Sequence, residues 1–193
     1  IVVGLDPPSR PTVPLGFEAG ASISDEPLPV VVSPSWKAPT SGGSTGRPKL
    51  IVSTARALTE GAVLAGLLCG QKPDGVHLCT GPLYHNGPFV FSMGGLFHGS
   101  HLVVMPRFDA SVALRLVEEH QVDFALLVPT MMTRMLKLPI EERERHSMDS
   151  LKGILHLAAP CPPHVKEGWI EWIGADKVWE LYAGTEAQGV TII

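Results

Sequence analysis

The sequence predicts an α/β domain, a mostly parallel sheet flanked by helices. Two observations carry this. From residue 49 onward, short β-rich runs alternate with helical patterns, the order that builds parallel strand–helix–strand units. The runs are continuously apolar rather than alternating, as strands covered on both faces are. A chain of 193 residues, 45% of them hydrophobic, can bury a sizeable core and suits one domain or part of one.

Residues 1–35 form a Pro/Gly/Ser-rich leading segment, with Asp6-Pro7-Pro8-Ser9-Arg10-Pro11 and Pro27-Leu28-Pro29 as helix breakers. Val30-Val31-Val32 suits a short strand. The domain proper is expected over residues 36–193. Residues 50–53 read as a strand and 55–69 as an Ala/Leu-rich helix ending near Gly70. Strands are expected at 76–79, 102–105, 124–128, 154–159 and 178–182. An apolar helix falls within 87–97. Asp109 can cap a helix whose stripe is Val112, Ala113, Leu116 and Val117. Thr130 can cap a helix ending before Pro139, and 140–146 reads as a short polar helix. Pro162 and Pro163 suit a first helical turn, after which Val165, Trp169, Trp172 and Ile173 share a face up to Gly174. The chain opens on Ile1 and closes on a strand-like run, so it reads as an excised piece.

Composition excludes several classes. The net charge is -4 with mixed signs, which argues against a nucleic-acid or anionic-membrane binder. No apolar run is long enough to span a membrane, and the opening residues do not read as a signal peptide. Cys69, Cys79 and Cys161 are odd in number and widely spaced. They form no disulfide framework and no CxxC pair, which fits a reducing, cytoplasmic setting.

Ligands of open parallel sheets bind beyond the carboxyl ends of the strands. Four segments of unusual chemistry fall there: Tyr84-His85-Asn86, Pro129-Thr130, Ala158-Ala159-Pro160 and the stretch from Tyr182 to Glu186. Ahead of them lies Ser41-Gly42-Gly43-Ser44-Thr45-Gly46-Arg47-Pro48-Lys49. Its glycines allow backbone N–H groups to approach an anion, its hydroxyls donate, and Arg47 and Lys49 add positive charge. Composition alone leaves it either a phosphate cradle or a Gly/Ser linker. A Walker loop needs Gly-Lys-Ser/Thr opening a helix. Here Pro48 intervenes and a β-like run follows, so the loop is expected to join two strands as a flap over a nucleotide.

The loop resembles the signature of the adenylate-forming superfamily of acyl-CoA synthetases, peptide-synthetase adenylation domains and luciferases. Gly43, Ser44, Thr45, Gly46, Pro48 and Lys49 match it in place; Ser41 and Gly42 stand for Thr-Ser, and Leu50 for the closing Gly. Tyr182-Ala183-Gly184-Thr185-Glu186 is similar to the family's Tyr-Gly-x-Thr-Glu element, with Ala183 departing from Gly. Pro82-Leu83-Tyr84-His85 resembles the Pro-Leu-(Phe/Tyr)-His stretch of acyl-CoA synthetases. Ala158-Ala159-Pro160 resembles the segment that lies against adenine, and Val128-Pro129-Thr130 with Met131, Met132 and Met135 the segment before the acyl pocket.

This resemblance covers about residues 36–193. It implies part of the large N-terminal domain of an AMP-forming acyl-CoA synthetase, with the C-terminal domain absent and a place in fatty acid metabolism. It implies ATP, Mg²⁺ and coenzyme A as partners of a small-molecule carboxylic acid. Ser41, Gly42, Gly43, Ser44, Thr45, Gly46 and Lys49 would hold the phosphates. Ala158, Ala159, Pro160 and Tyr182 would hold adenine. His85 would sit near the reacting carboxylate, Thr185 on the α-phosphate, and Glu186 on the metal. The chain alone would be inactive. On its residues, His85 is as readily structural, and methionines at helical spacing are more often core. Phe89, Phe91, Met93 and Leu96 can line an acyl pocket or pack their helix. A non-catalytic nucleotide-binding domain, a kinase-like fold and a peptide-synthetase adenylation domain stay open, as does the identity of the acid.

Overall fold

The computed structural model describes residues 26, 27, 29, 31–40, 47–185 and 190–192. After a leading stretch the order is α1 (Thr59–Leu68), β1 (Val76–Cys79), α2 (Asn86–Phe97), β2 (His101–Val104), α3 (Ala110–His120) and β3 (Phe124–Leu127). There follow α4 (Pro129–Leu136), α5 (Ile140–Arg143), β4 (Gly153–His156), α6 (Pro163–Ile173), a 3₁₀ turn (Ala175–Lys177), β5 (Val178–Ala183) and β6 (Val190–Ile192). The sheet order is β2-β1-β3-β4-β5-β6. The first five strands run parallel, and β6 pairs antiparallel with β5 through Tyr182 and Thr191. The expected flanked, mostly parallel sheet is therefore the one formed.

Alternation along the strands sends side chains to opposite faces. Leu78, Ala125, Leu127, Ile154 and Val178 pack with α3, α4 and α6 in the larger core cluster. Phe124, Leu126 and Leu155 face the other way, against Phe91 of α2 and Cys69.

Several local expectations shift, each for a backbone reason. The helix expected over 55–69 begins only at Thr59. Its first residues belong to an antiparallel ladder: Trp36 N–H donates to Ala55 O at 3.1 Å and Ala57 N–H to Ser33 O at 2.9 Å. Residues 50–53 are extended and join the same ladder through the Thr40–Leu50 bridge. Pro39 accepts from Ile51 N–H at 2.8 Å but has no N–H to return, so no regular strand forms. Val31 and Val32 lie outside any strand.

Asp109 caps α3 as expected, accepting from Val112 N–H at 3.0 Å. The buried stripe of that helix is Ala110, Ala113, Leu114 and Val117, rotated so that Val112 is exposed. Thr130 caps nothing. Pro129 is the first helical residue of α4, where its missing N–H is harmless, and Val128 precedes it. The helix expected over 140–146 is the single turn α5. The strand expected over 154–159 stops at His156, because Ala158 turns left-handed at φ 76°. Pro163 opens α6 and Gly174, at φ 102°, ends it; Val165, Trp169 and Ile173 are buried. Among the described residues no helix is long and apolar enough to cross a membrane.

Candidate functional site

The carboxyl ends of β1, β3, β4 and β5 open into a cavity of about 780 Å³. Each wall comes from a different segment. Thr80, Gly81 and Pro82 follow β1, and His85, Asn86 and Gly87 begin α2. Val128 and Met131 follow β3, Leu157 and Ala158 follow β4, Ala183 ends β5, and Gly184 and Thr185 follow it. Ala65, Leu68 and Cys69 reach in from α1, and Lys37 from the N-terminal ladder. A parallel sheet gathers distant segments this way because every strand ends on the same edge.

His85, Ala158 and Thr185 thus share one cavity. His85 is exposed at the N-cap of α2, with no side-chain cap bond. Its ring lies 4.6 Å from that of Tyr84, centroid to centroid. Ala158 holds its left-handed φ where β-branched or bulky residues pay heavily. Ala159, Pro160 and Tyr182 are exposed and do not line the cavity. Leu181 and Ala183 face into it, so alternation turns Tyr182 to the opposite side of β5. Leu155 pairs with Trp179 and His156 with Glu180. Tyr182 is 79% exposed, on the strand next to β4, with its ring available for stacking.

Ser41, Gly42, Gly43, Ser44, Thr45 and Gly46 lie outside the described residues, as does Glu186. The flanks of the loop are described. Thr40 and Leu50 bridge antiparallel, so residues 41–49 join two paired extended segments, and Lys49 is exposed at the start of the second. Of the methionines after Pro129, Met131 lines the cavity while Met132 and Met135 are core. Of the four apolar α2 candidates, Phe91 lines the cavity and Phe89 stacks on Trp36 at 5.8 Å.

Sequence reasoning missed Lys37 and Thr80, and placed Asn86 on the rim without a partner. Lys37 donates from Nζ to Asn86 Oδ1 and lies 4.7 Å from the centroid of the Trp36 ring. Burial pulls its pKa below the ordinary lysine value. The signal available was a lone lysine between Trp36 and Ala38-Pro39 in an apolar extended stretch. Burial pushes the Cys69 thiol up, which keeps that wall neutral. No group of three or more His, Cys, Asp or Glu side chains that could hold a metal ion occurs among the described residues.

The sequence profile of the AMP-binding enzyme family matches residues 38–193. The probable CoA ligase CCL5 of Humulus lupulus is 30% identical over 154 residues, 78% of this chain and 28% of that protein. The 4-coumarate–CoA ligase 5 of Oryza sativa subsp. japonica is 35% identical over 140 residues, 67% of this chain and 24% of that protein. The chain thus spans about a quarter of the length of these curated relatives. Among solved structures, the inhibitor-bound N-terminal domain of FACL13 from Mycobacterium tuberculosis shares the fold at a TM-score of 0.75. The identity is 22% over 91% of this chain and 44% of that chain. The O-succinylbenzoate CoA synthetase (MenE) of Bacillus subtilis in complex with AMP gives a TM-score of 0.63 and 26% identity, over 77% of this chain and 36% of that one. With a profile covering most of its length and CoA ligases as its curated relatives, this chain belongs to the AMP-binding enzyme family.

Proposed function

We propose that this chain supplies much of the ATP and acid site of an AMP-forming acid–CoA ligase. In that reaction a carboxylate oxygen attacks the α-phosphorus of ATP, the bond to the β-phosphate breaks, and pyrophosphate leaves. The thiol of coenzyme A then attacks the acyl-AMP and AMP departs. The observation that carries the reading is the shared cavity, which gathers His85, Ala158 and Thr185 at the carboxyl edge of the sheet. The CoA ligases among its relatives favour coenzyme A over a carrier protein as acceptor.

Each residue then has a physical task. The amides and hydroxyls of Ser41 to Gly46, with Lys49, spread charge from the leaving pyrophosphate. The Thr185 hydroxyl, in the cavity wall, donates to the α-phosphate. Tyr182 offers a ring to adenine beside the backbone of Ala158, Ala159 and Pro160. His85 borders the reacting carboxylate. The donor set suits a magnesium ion brought in on ATP: phosphate oxygens supply most ligands of such an ion, so one carboxylate, Glu186, is enough from the protein. The ion would supply charge neutralisation on the phosphates.

The apolar wall from α1 and α2 suits an acid with an apolar body. Relatives named for 4-coumarate favour an aromatic acid over the fatty acids first expected. The free thiols fit a cytoplasmic enzyme, and residues 36–193 are the unit we assign to the adenylation domain.

The test uses the full-length protein containing this chain. Offered aromatic, fatty and ring-fused acids, it should catalyse acid-dependent ATP–pyrophosphate exchange and release AMP rather than ADP. Lys49→Ala and Thr185→Val should each lower kcat by about 100-fold, the scale of removing one preorganised donor. The chain alone should show no exchange. ADP as the product, or exchange indifferent to every acid, would sink the reading.

A further inference from the structure

Lys37 is the only Lys, Arg, Asp or Glu lining the cavity among the described residues. Its position is built rather than incidental. Its own carbonyl accepts from Ser53 N–H at 3.0 Å and from Ser35 Oγ at 3.0 Å. The neighbouring Trp36 is pinned by its N–H to Ala55 O and by its stack on Phe89. The ladder and the stack together hold the ammonium against the first turn of α2.

The partners it has there are neutral. Asn86 Oδ1 accepts one N–H, and the Trp36 face takes another side of the ammonium. No carboxylate of the described residues stands within ion-pair distance of it. An ammonium carries three donors and no acceptor, so one is left for the cavity. His85 gives α2 no side-chain cap, so the amides of Asn86 and Gly87 and the positive end of the helix dipole lie at the same turn, which lines the cavity. A half-buried cation without a counter-ion, at the mouth of an otherwise uncharged cavity, is complementary to an anion with an apolar body. Burial holds the Lys37 pKa below the ordinary lysine value; an arriving anion would oppose that shift.

We propose that Lys37 binds the carboxylate of the acid substrate, holding it at the start of α2 while Ala65, Leu68, Val90 and Phe91 receive its apolar body. This rests on the adenylation reading above. Both reactants are anions, so a fixed cation at the acid subsite offsets their repulsion during approach. The carboxylate loses its charge on becoming acyl-AMP. Lys37 therefore stabilises bound substrate more than product, and its loss falls on KM more than on kcat.

In the full-length protein, Lys37→Met should raise the KM for the acid at least about tenfold, the size of one lost charge-assisted contact. The KM values for ATP and coenzyme A should stay within about twofold, and Lys37→Arg should keep most of the affinity. In the wild type the acid KM should climb as alkaline pH deprotonates Lys37, and in Lys37→Met it should not. Calorimetry with 4-coumarate and with decanoate, without ATP, tests the same contact independently of catalysis. Tighter binding to wild type than to Lys37→Met supports the proposal even if exchange proves absent, which would sink only the adenylation reading. Equal binding to both proteins, binding to neither, or a KM rise confined to ATP or coenzyme A would overturn it. Melting curves of both variants report whether the fold is intact.

Discussion

The two faces of the sheet are built from different materials. Under α3, α4 and α6 the strands meet Leu114, Met132, Met135 and Trp169, all buried. The Trp169 indole N–H there donates to Met132 O at 3.2 Å, so even the polar edge of the largest side chain is satisfied. Under α1 and α2 the strands meet Cys69 and Phe91 alongside a buried polar group, Gln71, His77 and Ser92. Here α2 approaches α1 so closely that a Cβ on Gly94 would lie 2.7 Å from Ala62 O. Leu64, Leu67, Leu68, Leu96 and Phe97 on these two helices remain exposed. The cavity opens on this second face. Large apolar volume holds the fold on one side, while small and polar residues leave room for ligand on the other.

That contrast breaks first at its strongest point. Trp169→Ala should cost about 3–5 kcal/mol, since transfer and cavity terms add where nothing can collapse. Phe91→Ala removes a ring that already borders open space, so its loss should fall at or below about 3 kcal/mol while the acid KM changes. Urea unfolding of both variants decides the order. A costlier Phe91→Ala would mean that the ligand face carries the stability.

A second test uses the buried histidine of the ligand face. His77 Nδ1 lies 3.0 Å from Gln71 Nε2 and its ring packs edge-on to Phe124. Burial lowers its pKa from 6.5 to about 4, against the opposing effect of the backbone near Phe91. A base whose folded pKa is depressed favours the neutral form, so its stability is complete above pH 6.5 and is lost as pH falls towards 4. At about 1.36 kcal/mol per unit the loss is on the order of 3 kcal/mol. On the opposite face His156 is fully buried, and desolvation lowers its pKa too, but Glu180 at 3.9 Å works the other way. His77→Phe should therefore flatten the acid limb of the stability profile more than His156→Phe. Equal flattening would erase the distinction between the faces.

The sequence carried the well-packed face more completely than the open one. Continuous apolar runs marked the parallel strands, because both of their sides are covered. Asp109 and Pro163 marked helix starts through chemistry local to one turn. Thr130 misled because Pro129 preempted the first helical position, a choice that a single missing N–H decides. The 55–69 expectation overran because its first residues spend their hydrogen bonds on the ladder with 33–37, a long-range pairing that periodicity cannot see. Lys37 was invisible for the same reason, since its place beside Asn86 depends on that ladder. His85, Ala158 and Thr185 were legible as a group, because strand ends on one edge must converge. Which side of β5 Tyr182 takes follows from strand alternation only once Leu181 is known to face the cavity.

The smallest effect probes backbone rather than packing. Ala158 is exposed, so its methyl buries little, yet its φ of 76° sits where L-residues pay about 1–2 kcal/mol. Glycine would remove that strain but add about 0.5–1 kcal/mol of unfolded-chain entropy. The two nearly offset, and Ala158→Gly should stabilise by less than about 1 kcal/mol in urea unfolding. Its use lies in what else moves. Ala158 lines the cavity at the turn that ends β4, so a loosened turn should raise the KM for ATP while leaving the acid KM set by Lys37. If the ATP KM stays constant and the protein is markedly destabilised, the turn is held by packing that an exposed alanine does not reveal, and the open face is less permissive than its glycines imply.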